Sequence, residues 1–194
     1  MISRGWDWGP LLMTCGPWRA VRLESHGARI SDIRIDYSLD ADLNTVTGHV
    51  TISVEGPSIE EVRISIAHAD DVVFEQTATV CSEGRAIADF RIDNPKLWYP
   101  HGYGDQPLYT CEATIKICGH DLHTASRKTG FRRGELVQQP DRIGKSFYFR
   151  INNVDIFCGG SDWIPADSFT PRISKERYRK WLQTLVDGFQ VMIR

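Results

Sequence analysis

Between residues 28 and 133 the chain alternates apolar and polar side chains with a period of two, again and again. Ile33 and Ile35 alternate with Arg34 and Asp36, and Val50, Ile52 and Val54 with Thr51 and Ser53. Val62, Ile64 and Ile66 alternate with Arg63 and Ser65, and Ala86, Ala88, Phe90 and Ile92 make another face. Cys111, Ala113, Ile115 and Ile117 alternate with Glu112, Thr114 and Lys116. Successive side chains of a strand point to opposite faces, so each run buries one face and wets the other. A helix cannot satisfy this pattern. Turn signals separate the runs: Asp40-Ala41-Asp42, Glu55-Gly56-Pro57, Ala69-Asp70-Asp71, Glu83-Gly84 and Gly119-His120-Asp121. About seven short strands at near-regular spacing predict an immunoglobulin-like β-sandwich of roughly 100 residues. No Cys-Trp-Cys core signature accompanies it.

The flanks read differently. Trp18, Ala20, Val21 and Leu23, after the Gly16-Pro17 turn, predict one more strand. A loop rich in Pro, Gly and aromatics, Asn94 to Pro107, interrupts the alternation, and Trp98 is expected to cap the sandwich core. Phe147, Phe149 and Ile151 lead to a turn at Asn152-Asn153. Val154 to Cys158 then reads as a short apolar strand running into Gly159-Gly160. After a loop, Tyr178, Trp181, Leu182, Leu185 and Val186 form one helical stripe. Ser174 suits its N-cap and Gly188 its stop. Val191-Met192-Ile193 opens another strand. This is one strand–helix–strand unit. Its apolar face and open edges need more protein than the unit itself supplies, so the chain reads as a piece of something larger.

Composition excludes several classes. The net charge is −2, with signs mixed along the chain, and no basic block suits nucleic acid or an anionic membrane. No apolar run approaches the ~20 residues of a membrane span. The start, Met1 to Trp6, has no secretory apolar core. Five scattered cysteines lack Cys-x-x-Cys spacing, and Cys111 and Cys118 are expected on opposite faces of a strand. The six histidines lack metal-ligand spacing. No metal or cofactor is expected, and a cytoplasmic location is.

Two Trp-Asp clusters carry the functional signal: Gly5-Trp6-Asp7-Trp8-Gly9-Pro10 and Gly160-Ser161-Asp162-Trp163-Ile164-Pro165. A flat ring can stack on the C–H face of a pyranose while a carboxylate accepts its hydroxyls. Beside these stand Leu97-Trp98-Tyr99-Pro100, Gly102-Tyr103-Gly104, Gln106-Pro107-Leu108-Tyr109, Gly130-Phe131-Arg132 and Trp163-Ile164-Pro165-Ala166-Asp167. With these motifs the chain resembles, over essentially all 194 residues, a central slice of the β-mannosidases of glycoside hydrolase family 2. The middle motifs belong to the wider family; the two Trp-containing end motifs point to its mannosidase branch.

The resemblance implies three parts. Residues 1–25 would end a sugar-binding jelly roll, 26–134 would form the sandwich, and 135–194 would start a (β/α)8 barrel. The fold is then mainly β: a sandwich flanked by the last jelly-roll strands and the first βα unit of the barrel. The implied activity is retaining hydrolysis of terminal, non-reducing β-mannose in β-mannoside oligosaccharides. Asp7, Trp6, Trp8, Trp163 and Asp162 are the implied substrate-binding residues. Many members of the family carry Asn at the position of Asp162; a carboxylate there accepts hydroxyl hydrogens but cannot donate as an amide does. Asp167 is expected to accept a hydrogen bond in its own loop. The family's two catalytic Glu residues sit on later barrel strands, so none is expected within this chain and the segment alone should be inactive. A different class stays open: a non-catalytic sandwich scaffold or a carbohydrate-binding module.

Overall fold

The structure is a computed structural model that describes residues 15–117, 120–164, 166, 167 and 169–194. The chain divides into two compact units. One is Ser25–Ile156; the other is Phe157–Arg194, grouped with the N-terminal segment up to Glu24.

The first unit contains the expected sandwich and, beyond residue 133, a small further sheet. The seven sandwich strands are β1 (Arg29–Leu39), β2 (Thr45–Glu55), β3 (Glu61–His68), β4 (Asp71–Thr79), β5 (Arg85–Asp93), β6 (Tyr109–Ile117) and β7 (His120–Thr129). They form two antiparallel sheets, ordered β1-β2-β5 and β4-β3-β6-β7. The alternation in the sequence is the alternation of burial. Val46, Val50 and Ile52 of β2 face Val62, Ile64 and Ile66 of β3 and Cys111, Ala113 and Ile115 of β6 in one buried cluster. Each fully buried Val or Ile contributes roughly 1.5–3 kcal/mol relative to exposure. Burial pushes the Cys111 thiol up to about 11, so it behaves as a small hydrophobe. Cys118 lies outside the described residues.

Turn chemistry sets the registers. Asp40 Oδ1 accepts the backbone N–H groups of Asn44 and Thr45 at 2.7 and 3.0 Å, closing the β1–β2 connection. A bulge at Ser31 breaks the β1–β2 register. Beside it the two sheets are sewn together: Ile30 N–H donates to His123 Nδ1 at 3.3 Å, and Arg127 bonds both the Asp32 carboxylate and the Ile33 carbonyl.

Phe131 joins the sheets at their centre. Its ring lies 5.0 Å from Tyr37 of β1, edge-on, 6.1 Å from Phe90 of β5 and 4.7 Å from Tyr109 of β6. Tyr37 brackets it, donating to the Gly130 carbonyl at 3.0 Å and accepting the Arg132 N–H at 3.2 Å. The loop residue packed on this core is Leu97, not Trp98 as expected. The Trp98 ring instead lies against the Gly130 backbone, with the Arg132 guanidinium 4.7 Å from its centroid. Backbone pairing explains the choice: Leu97 bridges Phe131, so its side chain points inward and that of the next residue does not.

After Phe131 the chain makes a small antiparallel sheet, β10-β9-β8, from β8 (Gly134–Val137), β9 (Tyr148–Ile151) and β10 (Val154–Ile156). Here the sequence reading needs a correction. Val154–Ile156 is not the first strand of a parallel unit; it folds back on β9. The turn responsible is Asn152-Asn153, with φ of 48° and 64°, the doubly left-handed geometry of a two-residue hairpin. Arg150 clamps the ladder through Asp155 at 2.5 Å, and this hydrogen bond holds the Asp155 carboxyl below the usual carboxylate range.

The strand expected at 18–23 does not form. No ladder runs between residues 15 and 24. Val21 and Leu23 are 92% and 100% exposed, because no strand among the described residues lies beside them and alternation alone makes no ladder hydrogen bonds.

Candidate functional site

The parallel pair begins later than the sequence suggests. Gly160–Ser161 (β11) pairs in parallel with Met192–Ile193 (β12), Gly160 opposite Met192 and Ser161 opposite Ile193. A Cβ on Gly160 would run into the Met192 carbonyl, so glycine is what lets β12 come alongside. The α-helix α1 (Lys175–Asp187) makes the crossover. Both of its expected ends are present. Ser174 Oγ accepts the Arg177 N–H at 3.3 Å. At the other end Phe189 N–H reaches the Val186 carbonyl and Gln190 N–H the Leu185 carbonyl, each at 3.0 Å. These two bonds make a Schellman stop. Gly188 is the cap with an ordinary φ of −84°; the left-handed residue is Phe189, at φ 57°. A bulky residue is costly there, and its side chain is 87% exposed. Phe189→Gly should therefore stabilise the end of α1 by about 1 kcal/mol, seen as roughly fivefold slower hydrogen exchange in the last turn.

The residues that follow the two strand ends come together. Asp162 leaves β11 and Arg194 leaves β12, and Arg194 Nη1 bonds Asp162 Oδ2 at 3.2 Å. Trp163 N–H donates to the Arg194 carbonyl at 2.7 Å, and Arg194 N–H to the Ser161 carbonyl at 3.2 Å. The Trp163 ring packs towards α1, 6.0 Å from Tyr178 and 5.8 Å from Trp181, edge-on to the latter. Arg177 lies 4.8 Å from the Trp181 centroid. The apolar stripe of α1 thus exists as expected, but none of its residues is fully buried. Asp167 does accept within its own loop, taking the Phe169 N–H at 2.8 Å.

Among the candidate residues, then, Asp162 and Trp163 are neighbours on one strand end. Trp6, Asp7 and Trp8 lie outside the described residues. Arg194 was missed by the sequence reading. The signal that could have found it is its place: a charged residue directly after an apolar strand of a parallel pair, the end where such folds carry their sites. The two Glu residues after position 133 are occupied locally. Glu135 bonds Arg133 at 2.6 Å, and Glu176, in the first turn of α1, is held below the usual carboxylate range by its own backbone N–H and by Ser174.

A separate hollow of about 370 Å³ opens in the sandwich unit between Tyr37, Trp98, Leu108, Lys128 and Arg132. It has no carboxylate in its lining, and Arg132 covers a face of Trp98, so it offers no carboxylate pair of the kind that glycoside hydrolysis uses. Among the described residues no group of three or more His, Cys, Asp or Glu is placed to hold a metal ion. No helix among them is long and apolar enough to cross a membrane.

The antiparallel sandwich is followed in the chain by one short parallel, helix-crossed strand pair. Residues 28–132 match Glycosyl hydrolases family 2, and the chain belongs to that family. Its relatives are more particular. Beta-mannosidase B of Aspergillus niger is 48% identical over 193 residues, 98% of this chain and 23% of that protein. Beta-mannosidase B of Thermothelomyces thermophilus is 46% identical over 98% of this chain and 22% of that protein. The chain thus spans about a quarter of the length of these relatives. The crystal structure of Beta-D-mannosidase from Dictyoglomus thermophilum superposes with a TM-score of 0.87 at 36% identity, over 99% of this chain and 24% of that one. A Parabacteroides merdae β-glucuronidase reaches 0.71 at 22% identity over 87% of this chain and 21% of that one, a likeness of fold alone.

Proposed function

We propose that these residues are the central segment of a retaining exo-β-mannosidase that removes terminal, non-reducing β-D-mannose from β-mannosides. The observation that carries this reading is the 48% identity to Beta-mannosidase B of Aspergillus niger over nearly the whole chain. Residues 1–25 close a sugar-binding jelly roll, 26–134 form the sandwich and 135–194 open the catalytic barrel. The start of the sandwich unit at Ser25 supports the first boundary. The parallel pairing of β11 with β12 across α1 supports the reading of the last part as a barrel opening.

In this reading Asp7 accepts hydroxyls of the terminal mannose, with Trp6 or Trp8 against its ring. Asp162 and Trp163, just beyond the end of β11, form the opposite wall. Retaining hydrolysis needs two carboxylates about 5–5.5 Å apart. Glu135 and Glu176 are engaged in their own local contacts, which supports placing both catalytic carboxylates outside residues 1–194. Cys15, Cys81 and Cys111 form no disulfide among the described residues, which favours a reducing, intracellular setting.

A nitrophenyl β-mannoside tests the reading. The complete enzyme should turn it over and the isolated 194-residue chain should not. Asp7→Ala in the complete enzyme should lower kcat/KM by roughly 10- to 100-fold, the worth of a hydrogen bond to a charged group. Turnover by the isolated chain would overturn the placement of the carboxylates, and an unchanged rate in Asp7→Ala would remove that residue from the site. Mannoside binding without turnover by the complete protein would favour a carbohydrate-binding module instead.

A further inference from the structure

We propose that the hollow bordered by Tyr37, Trp98, Lys128 and Arg132 binds a phosphate monoester, with Arg132 and Lys128 on its phosphate group. The site stands apart from the mannosidase reading and lies wholly within the Ser25–Ile156 unit. Two observations carry it. The first is how Arg132 is held. All six arginines on the seven sandwich strands are paired with a carboxylate: Arg29, Arg34, Arg63, Arg85, Arg91 and Arg127. Arg132 lies instead against a ring, its Cζ 4.7 Å from the Trp98 centroid. A carboxylate takes up N–H donors of the guanidinium. A ring takes the flat face and leaves the N–H edge for an acceptor.

The stack is fixed from both sides. Tyr37 Oη accepts the Arg132 backbone N–H at 3.2 Å, and the Trp98 backbone N–H donates to the Phe131 carbonyl at 2.9 Å. Gly130 lets the ring lie close, since a Cβ there would stand 2.9 Å from Trp98 Cδ1. The backbone under both partners is thus set before a ligand arrives, which lowers the ordering cost of binding. The second observation is charge and size. Lys128 lines the same hollow, and no carboxylate does. Two cations match the charge of about −1.5 to −2 on a phosphate monoester, and a guanidinium fork fits two phosphate oxygens. The volume of about 370 Å³ falls within the roughly 300–1,000 Å³ of small-molecule sites, which leaves room beside the phosphate. Leu108 supplies an apolar wall for the rest of the ligand.

Calorimetric titration of the complete protein with phenyl phosphate, at constant ionic strength, tests this. The wild type should bind saturably. Arg132→Ala should weaken binding by about tenfold or more, the loss of a hydrogen bond between charged groups, and Lys128→Ala severalfold. Arg132→Lys keeps the charge but not the fork and should fall between wild type and Arg132→Ala. Arg142→Ala removes an exposed cation outside the hollow and should bind as wild type does. Arg132 and Lys128 are exposed, so thermal unfolding without ligand should change little in their variants, and a lost affinity then reports on the site. Inorganic phosphate should bind more weakly, because it leaves the Leu108 wall uncovered; equal affinity would mean a site for free phosphate and would overturn the monoester. Absence of saturable binding, or unchanged affinity in Arg132→Ala, would overturn the proposal, and neither result touches the hydrolysis of a β-mannoside.

Discussion

Phe131→Ala is expected to lower the unfolding free energy of this chain by about 3–5 kcal/mol, the range for deleting a large aromatic from a close-packed core. Phe131 is fully buried. It belongs to neither sheet, yet its ring touches Tyr37 and Phe90 from one and Tyr109 from the other. Truncation therefore opens a cavity between the layers, where neither can collapse without leaving its own hydrogen-bonded ladder. It also loosens Tyr37, whose hydroxyl bonds the backbone on both sides of Phe131. Urea unfolding followed by tryptophan fluorescence measures the change, since Trp98 sits beside Phe131, its backbone N–H bonded to the Phe131 carbonyl at 2.9 Å. Phe131→Leu should cost less than half as much, because most of the volume returns. A loss below 1 kcal/mol in the alanine variant would mean that the two sheets do not depend on this ring.

Asn152→Ala should cost about 2–4 kcal/mol, for a reason that has nothing to do with apolar packing. Asn152 is 2% exposed and is satisfied on both sides of its amide. Its Oδ1 accepts the Arg133 N–H at 2.8 Å, and its Nδ2 donates to the Trp98 carbonyl at 3.0 Å. The side chain thus ties the hairpin turn to two loops of the sandwich. Alanine leaves a donor and an acceptor unmet, at roughly 1–3 kcal/mol for each buried group, and adds the strain of a Cβ residue at φ 48°. Asn152→Gly separates the two effects. It removes the same hydrogen bonds but suits the left-handed turn, so it should be about 1 kcal/mol less harmful than alanine. Equal losses would show that the hydrogen bonds alone hold the turn. The same urea titration reads both variants.

Much of the sandwich was legible because alternation is local. Whether Ile64 faces in or out depends on Arg63 and Ser65 beside it, and the turn residues between runs are neighbours in the chain. The ends of α1 were legible for the same reason: Ser174 caps groups within one turn of itself. The candidate site was legible only in part. Asp162 and Trp163 stood out by composition, but the bond of Asp162 to Arg194 joins residues 32 apart in the chain and has no local signal.

The errors have one cause. Val154–Ile156 and Gly160–Ser161 are both plausible first strands of a parallel unit, and nothing within either segment tells them apart. Asn152-Asn153 was read as a turn, but its consequence, that the next strand pairs backwards with β9, depends on the hand of both φ angles. Residues 18–23 carry the apolar Trp18, Ala20, Val21 and Leu23 of a half-buried strand, yet they form no ladder because no strand among the described residues supplies the hydrogen bonds. Which faces are buried was therefore determined by the sequence itself, since side-chain direction repeats every two residues whatever lies nearby. Which strand pairs with which, and which charges meet at the strand ends, was decided only by the tertiary structure, since a ladder hydrogen bond needs a partner that the chain brings in from far away.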